Sequence, residues 1–427
     1  MRCFTVKIQK YVNKKLLLLC ILTVAICIHI LKYIKNGEIN NLVEKAMTDD
    51  VTKVDASKTV QTVEVSDDKI LTKIGKQKLT VNSYYGAYDI SKKQRGFTMM
   101  GLGEPVKENW ISVKPKKEYR ISVLLPHFQD AYWITANYGI INYAKELGIK
   151  IKLYSVGGYI KIGDQKKKMN ILGKDNEVDG IILGSIDYTK FDSDIEEIVD
   201  SGKPVVEISN DINAPKISAK SIVSYYEMGY KAGECVIKDA AGKDIKIAFF
   251  PGPEGSGWAP DTFNGFKDAI SKLKKEDQKV DISDPFYGDT RPNVQLLRIV
   301  SVLEKNNDYD YVVGCAPAVI EAEKFINKHK EKFKNTKIVS TYISSEVYDL
   351  IQKGTVLASP SDQTIEECRI ALDMIVRILN GEKPGIDFPF QSGPEIPIIS
   401  QNNISQFKYE DLFGPKDYIP VLNHMNE

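Results

Sequence analysis

The stretch "ISVLLPHFQDAYWITANYGIINYAKELGIKIKLYSV", residues 121–156, decides the fold of this chain. It holds an apolar β-rich run, Ile121 to Pro126, then a segment with apolar residues at helical spacing, and then a second β-rich run. Strand, helix and strand at this spacing predict a right-handed βαβ unit and a parallel sheet. The turn before the helix carries Asp130, Tyr132 and Trp133, and such turns in α/β proteins face the ligand crevice.

The same alternation of β-rich and helical segments continues along the chain and then restarts. Further apolar runs end near Leu183 and Ile208, and a second series begins at Ile245. Two such series predict an α/β protein with two doubly wound, Rossmann-like lobes and a ligand between them, at the carboxyl ends of the strands. We expect lobe 1 to comprise residues 110–224 and 341–361, and lobe 2 to comprise residues 225–340 and 362–427.

The N-terminus has the pattern of an export signal. Basic residues between Arg2 and Lys15 precede an apolar run, Leu16 to Leu31. No A-x-A-like cleavage site follows, so within residues 1–35 we favour an uncleaved signal-anchor over a cleaved signal peptide. Residues 36–109 are polar and are interpreted as a linker or stalk. The rest of the chain is therefore expected outside the cytoplasm.

Composition and missing motifs exclude several classes of function. The chain has 58 basic and 57 acidic residues without basic clusters interleaved with aromatics, so nucleic acid is not an expected partner. The Gly-rich run Gly252 to Gly257 lacks the Lys-Ser/Thr of a P-loop, and the histidines are too few and scattered for a metal site. We predict a protein that is not an enzyme and has no cofactor.

Aromatic and acidic residues recur at the expected carboxyl ends of the strands. Tyr and Trp rings attract a cation or the polarised methyl groups of a quaternary nitrogen, and a carboxylate adds complementary charge. These residue types suit a small methylated amine or amine oxide better than a sugar. The candidates are Asp130, Tyr132, Trp133, Tyr159, Tyr225, Asp289, Tyr342 and Asp362. An alternative reading makes Asp130 a helix N-cap with Tyr132 and Trp133 packed in the core, and the two roles are compatible.

Several short stretches carry a resemblance to a known family. The more specific are "DAYWITANYG" (130–139) and "FFPGPEGSG" (249–257); weaker ones are "VGGY" (156–159), "YGDT" (287–290) and "ASPSDQ" (358–363). From about Trp110 onward the chain resembles the type I periplasmic binding proteins, and within them those that sense trimethylamine N-oxide.

The resemblance implies two lobes joined by a hinge around an interlobe cleft, and a periplasmic location. It also implies a partner, the periplasmic domain of a sensor histidine kinase in two-component signalling. By residue matching, the family's ligand cage falls on Asp130, Tyr132, Trp133, Tyr159, Tyr225 and Tyr342. Tyr225 stands where the family more often has tryptophan, so a relative of trimethylamine N-oxide is an open possibility. The alternative function is the substrate-binding receptor of an ABC transporter for a small solute or sugar.

Overall fold

The computed structural model describes residues 79–89 and 102–421. The expected signal-anchor, residues 1–35, lies outside them, as does much of the expected linker. Among the helices of the described residues, none is both long enough and apolar enough to cross a membrane.

The first lobe is built on strands and helices that alternate from Arg120 onward. In chain order the elements up to the lobe boundary are β1 (Thr80–Tyr84), β2 (Val106–Asn109), β3 (Arg120–Leu125), α1 (Ala131–Leu147), β4 (Lys150–Ser155), α2 (Ile162–Lys174), β5 (Gly180–Leu183), α3 (Asp192–Asp200), β6 (Val205–Ile208) and β7 (Ala219–Ser221).

The alternation then restarts, and the chain finally returns to the first lobe. The remaining elements are α4 (Tyr225–Ala240), β8 (Ile245–Phe250), α5 (Trp258–Leu273), β9 (Val280–Ile282), α6 (Pro292–Leu303), β10 (Tyr311–Gly314), α7 (Ala316–Lys328), β11 (Lys337–Ser340), α8 (Ser345–Lys353), β12 (Ala358–Pro360), α9 (Thr364–Leu379), β13 (Gln391–Pro394), β14 (Ile398–Ser400) and α10 (Tyr409–Phe413).

Two sheets carry the lobes, and both have a topological switch point. The eight-stranded sheet has the order β2-β1-β13-β7-β6-β5-β3-β4, and the four-stranded sheet has the order β11-β10-β8-β9. Strand β3 lies between β4 and β5, and strand β8 lies between β9 and β10. All four pairs are parallel. In such sheets ligands bind beyond the carboxyl ends of the strands at the switch point. The α/β fold predicted from the sequence is confirmed.

The core of each lobe lies on both faces of its sheet. Strand β5, with the sequence GIIL, is buried along its whole length, as is expected for a parallel strand covered by helices on both sides. Helix α1 begins after Asp130 and ends at Gly148, whose φ of 67° is a left-handed conformation that glycine adopts without a Cβ penalty. These two caps fix where α1 begins and ends beside the first switch point.

Helices α4 and α5 of lobe 2 pack so closely that glycines are required where they cross. A Cβ atom on Gly229 would lie 1.8 Å from the carbonyl oxygen of Thr262. A Cβ atom on Gly265 would likewise lie 1.8 Å from the carbonyl oxygen of Tyr226. The two backbones are therefore in direct contact, and this contact fixes where α5 and the loop before it sit.

The lobe boundaries in the structure differ from those expected. Helix α9 packs on α1 and on strands β5, β6, β7 and β13, so it belongs to lobe 1. Strand β12 contacts β11 and pairs with β14, so residues 341–360, which include Tyr342, belong to lobe 2 and not to lobe 1 as expected. An amphipathic helix shows in its sequence that one face is buried, but not which sheet buries it.

Part of the segment interpreted as a linker belongs to the first sheet. Strand β1 pairs antiparallel with β2 on one side and with β13 on the other. Ser83 of β1 and Ser392 of β13 are buried and their hydroxyl oxygens lie 3.1 Å apart. Strand β13 lies some three hundred residues further along the chain than β1, so a local sequence pattern does not reveal their pairing.

Candidate functional site

A small cavity lies between the lobes at the carboxyl ends of their strands. Its lining residues are Asp130, Tyr132, Trp133, Tyr159, Asn210, Tyr225, Trp258, Thr290, Tyr342 and Asp362. The centre of a water-sized sphere fits in only about 20 Å³ between them. That space holds about one water molecule, so a ligand fits only after the walls move apart.

Aromatic rings from both lobes form the wall of this cavity. In lobe 1 the rings of Tyr132 and Trp133 are 5.1 Å apart, and in lobe 2 the rings of Trp258 and Tyr342 are 5.8 Å apart, both pairs edge to face. The lobes meet where the ring of Tyr132 lies 5.4 Å from that of Tyr342. Tyr225 adds a ring 6.4 Å from that of Trp258. We call these five rings the ring cage.

Asp130 both caps helix α1 and faces the cavity. Its backbone is extended, and its Oδ1 atom accepts a hydrogen bond from the Trp133 N–H at 3.3 Å, which identifies it as the N-cap. Its Oδ2 atom lies 3.7 Å from Nε2 of His127, and that nitrogen is 3.0 Å from the Thr290 hydroxyl of the other lobe. Burial raises the pKa of Asp130, and His127 opposes the shift. Asp130 is therefore the N-cap of α1 and at the same time a lining residue of the cavity.

Asn210 reaches the cavity from a loop in an unusual conformation. It accepts a hydrogen bond from the Tyr159 hydroxyl at 3.1 Å. Its neighbours Ser209 and Asp211 both have positive φ, 66° and 62°, which costs of order 1–3 kcal/mol per residue in a non-glycine. A buried ion pair between Lys220 Nζ and Asp211 Oδ1, 2.7 Å apart, holds the loop in this form.

Two buried carboxyl groups, Asp362 just before α9 and Glu367 in its first turn, lie beside the ring cage. The Oε2 atom of Glu367 accepts hydrogen bonds from the hydroxyls of Tyr132, at 3.3 Å, and Ser209, at 3.1 Å. Its Oε1 atom accepts one from the Val223 N–H at 2.9 Å. Burial, reinforced by the nearby charge of Asp362, raises the pKa of Glu367 well above its ordinary value.

Asp362 lines the cavity itself. Its Oδ1 atom accepts a hydrogen bond from the Thr364 hydroxyl at 3.2 Å. Burial raises the pKa of Asp362 to about 6, and the nearby hydroxyls of Tyr132 and Thr364 oppose the shift. A buried carboxyl with this pKa changes its charge close to neutral pH.

Seven of the eight candidate residues named from the sequence line the cavity together, and Asp289 does not. Asp289 Oδ1 accepts a hydrogen bond from the Arg291 N–H at 3.0 Å and lies 3.2 Å from Nε of the same residue. It therefore stabilises the turn before α6, next to the cavity residue Thr290.

Three lining residues were not among those candidates: Asn210, Thr290 and Trp258. Asn210 follows β6, and Trp258 ends the Gly-rich loop after β8. Both therefore lie beyond the carboxyl ends of strands, where ligands bind in α/β sheets. Within that loop, a Cβ atom on Gly252 would lie 2.3 Å from Cη2 of Trp258. The glycine makes room for the Trp258 ring.

The fold and the cleft define a class, the two-lobe solute-binding proteins. Residues 121–383, more than half of the chain, match the family described as "Periplasmic binding protein domain", and the chain belongs to that family. It is thus a periplasmic solute-binding protein, with the type I fold that the sequence resemblance predicted. Members of this family bind and sense solutes.

Among curated proteins, the chain is similar to the periplasmic protein TorT of Escherichia coli (strain K12). The two are 28% identical over 309 residues, which cover 72% of this chain and 86% of TorT. The resemblance to a periplasmic binding protein of this kind, predicted from the sequence, is therefore confirmed.

Solved structures of solute-binding proteins are also similar to this chain. A solute-binding protein of an ABC transporter from Bradyrhizobium sp. BTAi1, with bound Bis-Tris, is 28% identical, with a TM-score of 0.66 and coverage of 82% of this chain and 100% of that one. The complex of the TorS sensor domain with TorT in the presence of TMAO is 24% identical, with a TM-score of 0.62 and coverage of 72% and 100%. The latter likeness shows the fold alone.

Proposed function

We propose that this chain is a periplasmic sensor protein that binds a small methylated amine oxide, trimethylamine N-oxide or a relative, and regulates a membrane sensor histidine kinase. The ring cage is the observation that carries the proposal. Aromatic faces attract the polarised methyl groups of a quaternary nitrogen with about 0.5–2 kcal/mol per ring, and several rings around one small cavity add up. The similarity to TorT supports the same ligand class.

The largely aromatic lining of the cavity argues against a sugar as the ligand. A sugar needs many planar polar side chains around its hydroxyl groups, whereas here most of the lining is aromatic. Among the lining residues in the described part of the chain, none is a lysine or an arginine. A compact, methyl-covered nitrogen compound with one polar atom fits these walls better.

The proposed partner is the periplasmic domain of a sensor histidine kinase. TorT has been solved in complex with the TorS sensor domain, both with and without ligand. Linkage then supplies the signal: a ligand that favours the kinase-bound form must itself be bound more tightly by that form. The signal-anchor expected in residues 1–35 would hold the protein at the inner membrane beside such a kinase.

A second candidate function is the receptor of an ABC transporter for a small solute. The observation that favours it is the Bradyrhizobium ABC transporter protein, which matches this chain over 82% of its length and contains Bis-Tris, a tertiary amine with hydroxyl arms. Sensing and transport use the same closing lobes and differ in the membrane partner that recognises the closed form.

Calorimetric titration of the full chain tests the proposal. Trimethylamine N-oxide, Bis-Tris and ribose are titrated separately, with and without the periplasmic domain of a sensor histidine kinase from the same organism. Binding of the amine oxide that tightens when the kinase domain is present supports the sensory function. Tight binding of Bis-Tris or ribose, unaffected by the kinase domain, favours the transport receptor. The Lys167→Ala protein, altered on the exposed face of α2, serves as the unaffected control.

A further inference from the structure

Asp362 presents an unused carboxylate oxygen to the cavity. The side chain is 1% exposed, and its Oδ2 atom receives no well-formed hydrogen bond from any residue that the structure describes. The nearby Tyr132 hydroxyl has a single proton, and it donates that proton to Glu367. A buried polar atom without a partner is costly, so this oxygen is expected to meet a group of the ligand.

The groups that surround Asp362 provide no positive charge. The titratable groups that interact with it are Glu367 and Cys368 of α9, Tyr132 of α1, Tyr225 of α4 and Tyr342 after β11. The other carboxylate of the lining, Asp130, has His127 beside it. When Asp362 ionises, it therefore lacks a cation among the described residues that face it, and a buried charge without a partner is strongly unfavourable.

The groove that leads to the cavity from outside has an excess of acidic residues. It shares Asp130, Tyr132 and Tyr342 with the cavity and continues between helices α7 and α8. Its charged residues beyond Asp130 are Glu321, Glu323, Lys324, Glu346, Asp349 and Lys353. Lys324 pairs with Glu321 at 2.7 Å, which leaves Lys353 facing the remaining acidic groups of the groove. A cleft lined by one sign of charge raises the local concentration of ligands of the other sign.

We propose that the cavity also accepts a cationic methylated ammonium, whose charge pairs with ionised Asp362. The inference rests on the proposed function, because it takes for granted that the ring cage holds a small methylated nitrogen compound, and it extends that ligand class from neutral amine oxides to cations. The ring faces and the carboxylate then act together on the same positive charge. The acidic groove delivers ligands of that charge to the cavity.

The two ligand charges predict opposite pH dependence. A cation favours the ionised carboxylate, so its affinity is highest above the pKa of Asp362, which is about 6 without ligand, and falls as the pH drops through that value. A neutral amine oxide needs a donor for its oxygen, which the protonated carboxyl supplies, so its affinity falls as the pH rises through the same value. The sign of the pH dependence therefore identifies the ligand class.

The test uses tetramethylammonium, whose charge does not change with pH, beside trimethylamine N-oxide. Both are titrated calorimetrically into the full chain between about pH 5 and about pH 8. We expect tetramethylammonium to bind more tightly at the higher pH, and Asp362→Asn to weaken it by about 10- to 100-fold and to remove the pH dependence. Asp164→Asn, the same substitution at an exposed position of α2, should leave binding unchanged.

The other results overturn the inference in distinguishable ways. If trimethylamine N-oxide binds more tightly at low pH, tetramethylammonium does not bind, and Asp362→Asn retains the oxide, the inference is wrong and the proposed function stands. If neither compound binds at any pH, with or without the sensor kinase domain, the proposed function fails as well. The pH dependence of the unmodified protein decides the question even if Asp362→Asn fails to fold, which its circular dichroism spectrum would show.

Discussion

The ring of Tyr132 lies 5.4 Å from the ring of Tyr342, edge to face at 75°. Tyr132 is on the first turn of α1 in lobe 1, whereas Tyr342 follows β11 in lobe 2. Both residues line the cavity and also the adjoining groove, so the contact lies where cavity and groove meet.

The contact predicts different effects for two substitutions at Tyr342. Tyr342→Phe keeps the ring, so ligand affinity should change by less than about threefold. Tyr342→Ala removes a ring of the cage and the contact between lobes, which together are worth about 1–3 kcal/mol, or roughly 10- to 100-fold in Kd. Calorimetry with the best ligand measures both variants. Equal affinity of the alanine and phenylalanine variants would contradict a role for this ring.

The raised pKa of Asp362 predicts how stability depends on pH. The carboxyl titrates near 3.8 when unfolded and at about 6 when folded, so the folded state binds more protons between these values. Its contribution to the free energy of unfolding is therefore full below about pH 4 and is lost as the pH rises through about 6, by at most about 3 kcal/mol. Urea denaturation of the ligand-free protein and of Asp362→Asn measures this contribution as their difference. A difference that stays constant or grows in favour of the unmodified protein with pH would refute it.

The buried pair of Lys220 and Asp211 predicts a large loss of stability when one partner is removed. Lys220→Met leaves Asp211 charged and buried, which costs about 3–5 kcal/mol. Adding Asp211→Asn should restore part of this, since asparagine is neutral and tolerates the positive φ at that position. The half-exposed pair of Lys216 and Asp200 is the matched control, because Lys216→Met should cost less than about 1 kcal/mol. Equal losses for the two methionine variants would show that the pair does not hold the loop.

The crossing of α4 and α5 predicts which glycines tolerate a methyl group. Gly265→Ala forces its Cβ atom into the Tyr226 carbonyl, so the helices must separate, and we expect a loss of about 2 kcal/mol or more. Gly163→Ala, where no atom lies within 4 Å of the added Cβ, should stabilise helix α2 by about 0.5–1 kcal/mol. Thermal denaturation of both variants measures the contrast. If Gly265→Ala melts at the temperature of the unmodified protein, the close crossing is not required.

Most of the cavity could be predicted from the sequence because strand ends are marked locally. Tyr132, Tyr159 and Tyr342 each follow a recognisable apolar run, and parallel strands bring their carboxyl ends to one edge. Trp258 lies in the Gly-rich loop that the sequence indicates. The direction of its ring depends on the space beside Gly252, which only the folded structure shows. Asn210 lies on a loop in which Ser209 and Asp211 have positive φ and Asp211 pairs with Lys220. No residue pattern in the sequence indicates this loop conformation.

The lobe assignments depended on contacts that no local pattern encodes. Helix α9 is buried at most positions from Thr364 to Val376, and its sequence does not show which sheet it covers. Strand β1 is short and polar in places, and it becomes a strand because β13 and β2 pair with it. The strand pairings of βαβ units can be predicted because their partners are close in the chain. Pairings between strands that are far apart in the chain leave no local pattern.

The pairing of β1 with β13 also sets the order in which the molecule can be completed. The four strands of the lobe 2 sheet lie within residues 245–340, so this sheet can form as soon as that segment has been made. The lobe 1 sheet has to wait for residues 391–394, and its covering helix α9 comes only shortly before them. Because domains form as their segments emerge during synthesis, the four-stranded sheet of lobe 2 should be formed while the sheet of lobe 1 still has an open edge. The wall that holds Tyr132 and Trp133 is then finished after the lobe 2 sheet that precedes Tyr342.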